Sequence, residues 1–109
     1  MELKTKEFSA QGIKFFVEKE GKEIGRGFLY LLKNDLHEHP FGFLEDVFVE
    51  EEYRKQGYGK LIIEAIISEA KKRGCYKLIA TSRYGRDRLH GYYQKLGFKD
   101  HGKEFRMDF

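Results

Sequence analysis

The hydrophobic period of this chain changes from two to 3.6 across one basic, glycine-containing turn, and that change limits the folds open to it. Before the turn, Ile13, Phe15 and Val17 alternate with Lys14, Phe16 and Glu18, as in a half-buried strand. Glu20-Gly21-Lys22 signals a turn, and Ile24 to Leu32 is a second apolar run at hairpin distance. Residues 2–9 read as a weaker edge strand. A polar loop, Lys33 to Pro40, leads to a third strand, Phe41 to Val49, whose β-branched and aromatic content suits a central position. After the turn, Ile62, Ile63, Ile66, Ile67 and Ala70 form one stripe of a helix expected over Lys60 to Arg73. Gly74 stands where a left-handed cap belongs. Cys75 to Thr81 is a short apolar strand. Leu89, Tyr92, Tyr93 and Leu96 sit at i, i+3, i+4 and i+7, which predicts a second helix with Asp87 as N-cap and Gly97 as terminator. The alternation of Phe105, Met107 and Phe109 predicts a closing strand over Glu104 to Phe109.

Strands first, then a strand–helix–strand–helix–strand series, imply an α/β layered fold: a mixed, mostly antiparallel sheet with flanking helices. With 109 residues the chain is one domain, 1–109, large enough for a real core. Its apolar runs are too short for a membrane span or a secretory core, and the expectation is a cytoplasmic protein. The single cysteine excludes an internal disulfide framework and any multi-cysteine metal site. The net charge of +3 conceals a division. Residues 1–53 hold seven Lys/Arg against twelve Asp/Glu, a net of −5, whereas residues 54–109 hold fourteen against six, a net of +8. The second half therefore asks for an anionic partner.

The turn itself runs Arg54-Lys55-Gln56-Gly57-Tyr58-Gly59-Lys60. Glycines at a strand-to-helix junction allow close backbone approach, and the first helical amides have no acceptor within the helix. Together with the helix dipole and the flanking cations they make a phosphate site. The Walker pattern fails, because Leu61 follows Lys60 and Arg54 holds the place of the earlier glycine. The dinucleotide fingerprint is weakened by Ile62 at its third glycine position. What remains is R-x-x-G-x-G.

At these residues the chain resembles the GNAT superfamily of acyl-CoA-dependent N-acyltransferases. The resemblance rests on Glu45-Asp46-Val47-Phe48-Val49 through Gly59, on the helix–strand unit Leu61 to Thr81, and on Tyr92-Tyr93-Gln94-Lys95-Leu96-Gly97-Phe98. It implies a GNAT-like fold with a splayed parallel strand pair and acetyl-CoA as co-substrate, with no metal. It also implies that the Gln56 to Lys60 amides hold the pyrophosphate and that the pantetheine arm pairs with Val47 to Val49. Two departures stand out. Arg86 occupies a place where relatives often carry Asn. The family's two helices between its first strands have no counterpart, so the acceptor groove should be open or completed by a second subunit, with a homodimer left open.

Acetylating an amine requires removing a proton from a group of pKa about 10 and reprotonating a thiolate. Glu45 and Asp46 border the coenzyme strand and by alternation face opposite ways, with Glu45 on the face of Phe43 and Val47. One of them is the candidate base; solvated carboxylates at a bulge are the plainer alternative. Tyr93 matches the family's proton donor to the coenzyme sulfur, although its place in a helical stripe also suits simple packing. His37-Glu38-His39 lacks a third ligand and reads as a solvated loop, Cys75 as a small buried side chain. Arg83, Arg86, Arg88 and His90 gather near the second helix start. The function expected is an N-acetyltransferase acting on a small-molecule or protein amine by direct transfer in a ternary complex, with no membrane partner. A non-catalytic coenzyme-binding module is the alternative, ahead of a nucleic-acid-binding domain.

Overall fold

A two-residue reversal starts the sheet. Glu20 and Gly21 hold φ of 53° and 78°, the left-handed geometry whose twist matches that of paired strands. It joins β1 (Gln11–Lys19) to β2 (Lys22–Leu32) in the antiparallel hairpin that the turn signal predicts. β3 (Phe41–Val49) pairs antiparallel with β2, and β4 (Leu78–Ala80) adds to β3 in parallel, giving the order β1-β2-β3-β4. Parallel neighbours need a long crossover; α1 (Tyr58–Lys72) supplies it, and α2 (Asp87–Lys95) follows β4. The structure, a computed structural model, describes residues 1–109. The mixed, open sheet with flanking helices is the fold class that the order of periodicities implies.

The core lies between the sheet and α1. Leu29, Leu31 and Leu44 meet Ile62, Ile63, Ile66 and Ala70, the apolar stripe of the helix. Ile13, Phe15 and Val17 support it from β1, so their alternate neighbour Phe16 faces away and is half exposed. Glycine sets how closely the layers approach. A Cβ on Gly27 would stand 2.7 Å from Ile62 Cγ2 and 3.2 Å from both Ile66 Cδ1 and Val47 Cγ2. α1 thus rests almost on the β2 backbone.

Both helices end in the same way. After α1, Gly74 (φ 76°) donates its N–H to Lys71 and Cys75 donates to Ala70; after α2, Gly97 (φ 105°) donates to Gln94 and Phe98 to Tyr93. Each is a Schellman motif, which brings the residue beyond the glycine against the last turn. In α2 this sets the Phe98 ring 5.2 Å from that of Tyr93. The sequence Tyr93-Gln94-Lys95-Leu96-Gly97-Phe98 is therefore a structural unit.

Several expectations are corrected. Residues 2–9 form no strand, and Glu104 to Phe109 form no closing strand: residues 99–109 belong to no element and share no backbone hydrogen bond. The last sheet strand is shorter than Cys75 to Thr81, since Cys75 is used in the α1 cap and the Tyr76 N–H goes to the Pro40 carbonyl. α1 begins two residues earlier and ends one earlier than Lys60 to Arg73. Asp87 is the first residue of α2 and not its cap, a place held by Arg86, though its charge still complements the helix dipole. The Cα radius of gyration is 16.1 Å, against roughly 13 Å for a compact chain of this length. Unpaired residues 1–10 and 99–109 account for that excess.

Gly27→Ala is expected to lose about 1–3 kcal/mol of stability by overpacking, read as a lower urea midpoint. An unchanged midpoint would show that α1 sits further from β2.

Candidate active site

β3 is a central strand for only part of its length. Its pairing with β4 covers Gly42 to Leu44 against Leu78 to Ala80, and from Glu45 to Val49 no strand lies on that side. The parallel pairing therefore ends with β4, midway along β3. On the other side the β2–β3 register shifts between Arg26 and Phe28, so Asp46 and Val47 together oppose Gly27. This is a β-bulge, with Asp46 at φ 50°. It changes the phase of the strand: Leu44 and Val47 both reach the core, and Glu45 does not. Glu45 consequently shares a face with Phe43 and not with Val47, as unbroken alternation implied.

Beyond Val49 a single 3₁₀ turn, Glu51–Tyr53, precedes Arg54, and Lys55 (φ 64°) and Gly57 (φ 90°) take left-handed geometry before α1. Gly57 caps α1 with no side-chain bond, and no acidic residue lies in the first turn. The opening amides of Tyr58, Gly59 and Lys60 thus have neither an intrahelical acceptor nor a capping oxygen. A Cβ on Gly59 would meet nothing nearer than Val49 Cγ2 at 3.9 Å. The protein's own packing does not require glycine there, and the space faces the cleft.

Arg54 is held in place on two sides. Its Nε donates to the Val49 carbonyl at 2.8 Å, and its guanidinium stands 5.1 Å from the Phe48 ring. Arg26 reaches the same ring at 5.3 Å, bonds Glu50 at 2.7 Å and pairs with Glu23, which in turn binds Lys14 at 2.6 Å. An ionic chain thus runs from β1 through β2 to Glu50, just past the end of β3. Lys60 lies over the Tyr92 ring at 5.3 Å, linking α1 to α2.

One open cleft of about 2060 Å³ joins these parts. Glu45, Asp46, Val47, Phe48, Val49, Arg54, Lys55, Gly59, Lys60 and Tyr93 all line it, whereas Gln56, Gly57 and Tyr58 shape the turn without lining it. Burial pushes the Glu45 carboxyl above its usual range; Asp46 and Glu104 add to this, and a hydrogen bond donated by Thr81 at 3.4 Å opposes it. Burial likewise raises the Tyr93 phenol, Arg86 opposes the shift and Glu45 adds to it. Glu45 and Tyr93 line the same cleft.

Four polar cleft residues escape sequence reasoning: Thr81, Ser82, Glu104 and Arg106. Thr81 and Ser82 had an available signal, for they follow the carboxyl end of a parallel strand, where open sheets place their sites. Arg83, Arg86 and Arg88 line the cleft, while the His90 ring bonds Ser82 Oγ at 3.0 Å from outside it. His37 stacks on Tyr76 with centroids 4.9 Å apart. Cys75 packs against the core, and burial pushes its thiol up.

The sequence profile described as the Acetyltransferase (GNAT) family matches residues 2–98. A glucosamine 6-phosphate N-acetyltransferase of Trypanosoma brucei brucei is 37% identical over 67 residues, covering 62% of this chain and 44% of that protein. Among solved structures, an acetyltransferase of Trypanosoma brucei superposes with a TM-score of 0.78 at 29% identity, covering 92% of this chain and 69% of the other. The glucosamine-6-phosphate N-acetyltransferase of Arabidopsis thaliana superposes at 0.79 with 26% identity, covering 90% and 67%. The chain aligns with 33–44% of the length of the first four curated relatives it matches.

Glu45 gains protons on folding, since its folded value lies above the ordinary 4.5. Its contribution to stability is present below the unfolded value and is lost as pH rises through the raised one. Glu45→Gln should therefore raise the melting temperature at pH 7 and leave it unchanged near pH 4. A lower melting temperature at pH 7 would contradict that sign.

Proposed function

The chain belongs to the acetyltransferase (GNAT) family, and from that premise we propose that it transfers an acetyl group from acetyl-CoA to a primary amine, both bound together. One observation carries the reading. A single cleft is lined both by an uncapped, acid-free helix start and by Glu45 and Tyr93. The free amides, the vacant side of Gly59 and the flanking Arg54, Lys55 and Lys60 fit a pyrophosphate. The stretch Val47 to Val49, with no strand on its β4 side, offers backbone groups there to an amide-bearing arm, as an edge strand does.

The coenzyme supplies the acetyl thioester and a thiolate leaving group. Glu45 takes the proton that the attacking amine gives up; its raised pKa brings it nearer to the working pH of a general base than an ordinary carboxylate. Tyr93 donates a proton to the departing sulfur, and burial keeps that phenol protonated until then. A backbone N–H from Val47 to Val49 polarises the thioester oxygen. The ammonium first releases one proton to solvent; one N–C bond then forms and one C–S bond breaks, the second N–H proton passing to Glu45 and the Tyr93 proton to sulfur, and solvent restores both side chains. Asp46, exposed at the bulge, draws the cationic acceptor inward.

The acceptor to test first is glucosamine 6-phosphate, for which the trypanosome and Arabidopsis relatives are named. It carries an amine and an anionic group, and the cleft presents carboxylates alongside Arg83, Arg86 and Arg88. The openness of this cleft favours one second reading, a coenzyme-binding module without turnover. Binding of acetyl-CoA with no thiol release across an amine panel would select it.

Acetyl-CoA and CoA are expected to raise the melting temperature of the wild type more than ATP does, and Gly59→Trp is expected to remove the effect. The coenzyme reading fails if acetyl-CoA gives no shift. Tyr93→Phe should lower kcat about 100-fold with the acetyl-CoA KM unchanged. Unaltered turnover would remove Tyr93 from the chemistry. Replacing Glu45 by Gln should flatten the acid limb of the kcat/KM profile, a limb that the raised pKa moves above the usual carboxylate range.

A further inference from the structure

Thr81 and Ser82 follow β4 directly, belong to no element and line the cleft. They stand where the β3–β4 ladder stops. Its last pair is Leu44 with Ala80, so the same register carried one residue further sets Thr81 beside Glu45. The ladder ends before that pair forms, and the Thr81 hydroxyl bridges the gap, donating to Glu45 Oε1 at 3.4 Å. Glu45 makes no other side-chain hydrogen bond. Ser82 engages the opposite side of the gap: its Oγ shares a hydrogen bond of 3.0 Å with His90 Nε2. His90 lies in α2, three residues before Tyr93 and thus within one turn of it. α2 has no fully buried residue, and only one other hydrogen bond, from the Tyr92 hydroxyl to Glu64 at 3.5 Å, joins it to another element.

Two successive hydroxyls thus reach the strand that carries Glu45 and the helix that carries Tyr93. A glutamate side chain left free spreads over many rotamers. A base that must meet its proton donor at about 3 Å gains from being held in one of them. We propose, on the roles given above to Glu45 and Tyr93, that Thr81 and Ser82 are positioning residues of the transfer: Thr81 aims the Glu45 carboxylate, and Ser82, through His90, fixes α2 and with it the Tyr93 phenol. The surroundings of Glu45 set the sign of the first effect. Asp46 follows it on β3 and Glu104 comes from the segment after α2, and both favour its protonated form. From α2, Tyr93 shares the cleft, with Arg86 acting on that phenol, and β2 sets the uncharged Phe28 opposite Glu45. The Thr81 hydroxyl is the group that favours the carboxylate. Removing it should raise the pH at which Glu45 ionises.

Carbon-13 NMR of the Glu45 carboxyl in the full chain reads the first arm without turnover. Thr81→Val should move its titration to higher pH, and Thr81→Ser should return it to the wild-type position. The acid limb of kcat/KM should move with it, assayed with whichever amine of the panel, glucosamine 6-phosphate first, is acetylated. Ser82→Ala should lower kcat about tenfold, the worth of one hydrogen bond, with the acetyl-CoA KM and the Glu45 titration unchanged. Ser82→Thr should restore kcat. His90→Phe should match Ser82→Ala, and the double variant should lose no more than either, because both break one contact. In the Tyr93→Phe background Ser82→Ala should cost nothing further. Circular dichroism melts check that each variant is folded. The positioning roles alone are overturned if Glu45→Gln and Tyr93→Phe behave as expected while Thr81→Val leaves the titration in place, or Ser82→Ala leaves kcat unaltered. Absence of turnover across the panel, an acid limb that survives Glu45→Gln, or a Tyr93→Phe enzyme of full activity overturns the catalytic roles themselves, and the positioning roles with them.

Discussion

The cleft depends on one extra residue in β3. If Asp46 and Val47 did not share Gly27 as their partner, strict alternation would carry Leu44, Asp46 and Phe48 to the core. A carboxylate would then be buried under α1, at a cost of several kcal/mol unless paired. The bulge resolves this conflict. It returns Val47 to the apolar face and leaves Asp46 in solvent, while Glu45 keeps the face opposite Leu44. Holding Asp46 at φ 50° costs on the order of 1 kcal/mol, and Asp tolerates that region better than most side chains. Gly27 makes the arrangement possible by leaving room for Val47 and Ile62 over the same backbone.

The charge division of the chain takes a spatial form. The basic half contributes the helix start, the residues after β4 and the front of α2, all around one cleft. The acidic half contributes Glu45 and Asp46 to the same cleft. Much of the remaining charge is engaged elsewhere: Lys14, Glu23, Arg26 and Glu50 form the chain that ends just past β3, and Glu69 pairs with Arg73 on α1. Exposed pairs of this kind add little stability individually. Their effect here is positional, since Phe48 and Glu50 flank the end of β3, just before the glycine turn.

Much of this was legible because period and punctuation act locally. Three strands and the long helix are found within two residues of the bounds that apolar spacing implies, and Gly57, Gly74 and Gly97 stand at left-handed positions that a reader can anticipate. The glycine turn and the Tyr93 unit bring ten of the thirteen anticipated site residues to one cleft. What was not legible depends on pairing. The bulge is a relation between Asp46 and Gly27, not a property of either. Thr81 follows a parallel strand, which marks it as near a site, but its bond to Glu45 spans 36 positions and local spacing does not name that partner. The segment after Glu104 has the period of a strand, but period cannot say where its hydrogen bonds go. Only the sheet decides that, and its last strand is three residues long.

The Schellman closure of α2 has a consequence for how the cleft responds to change. The bonds that bring Phe98 back over Tyr93 span six residues and use main-chain groups only. The pose of the phenol relative to its own helix is thus written in a stretch that carries its geometry with it. α2 has no fully buried residue and rests on the core through Tyr92, Tyr93 and Leu96. Such a helix can swing as a rigid rod without losing the shape of its working end. Mobility at this site would therefore alter the distance between Tyr93 and Glu45 while sparing the local aim of the hydroxyl.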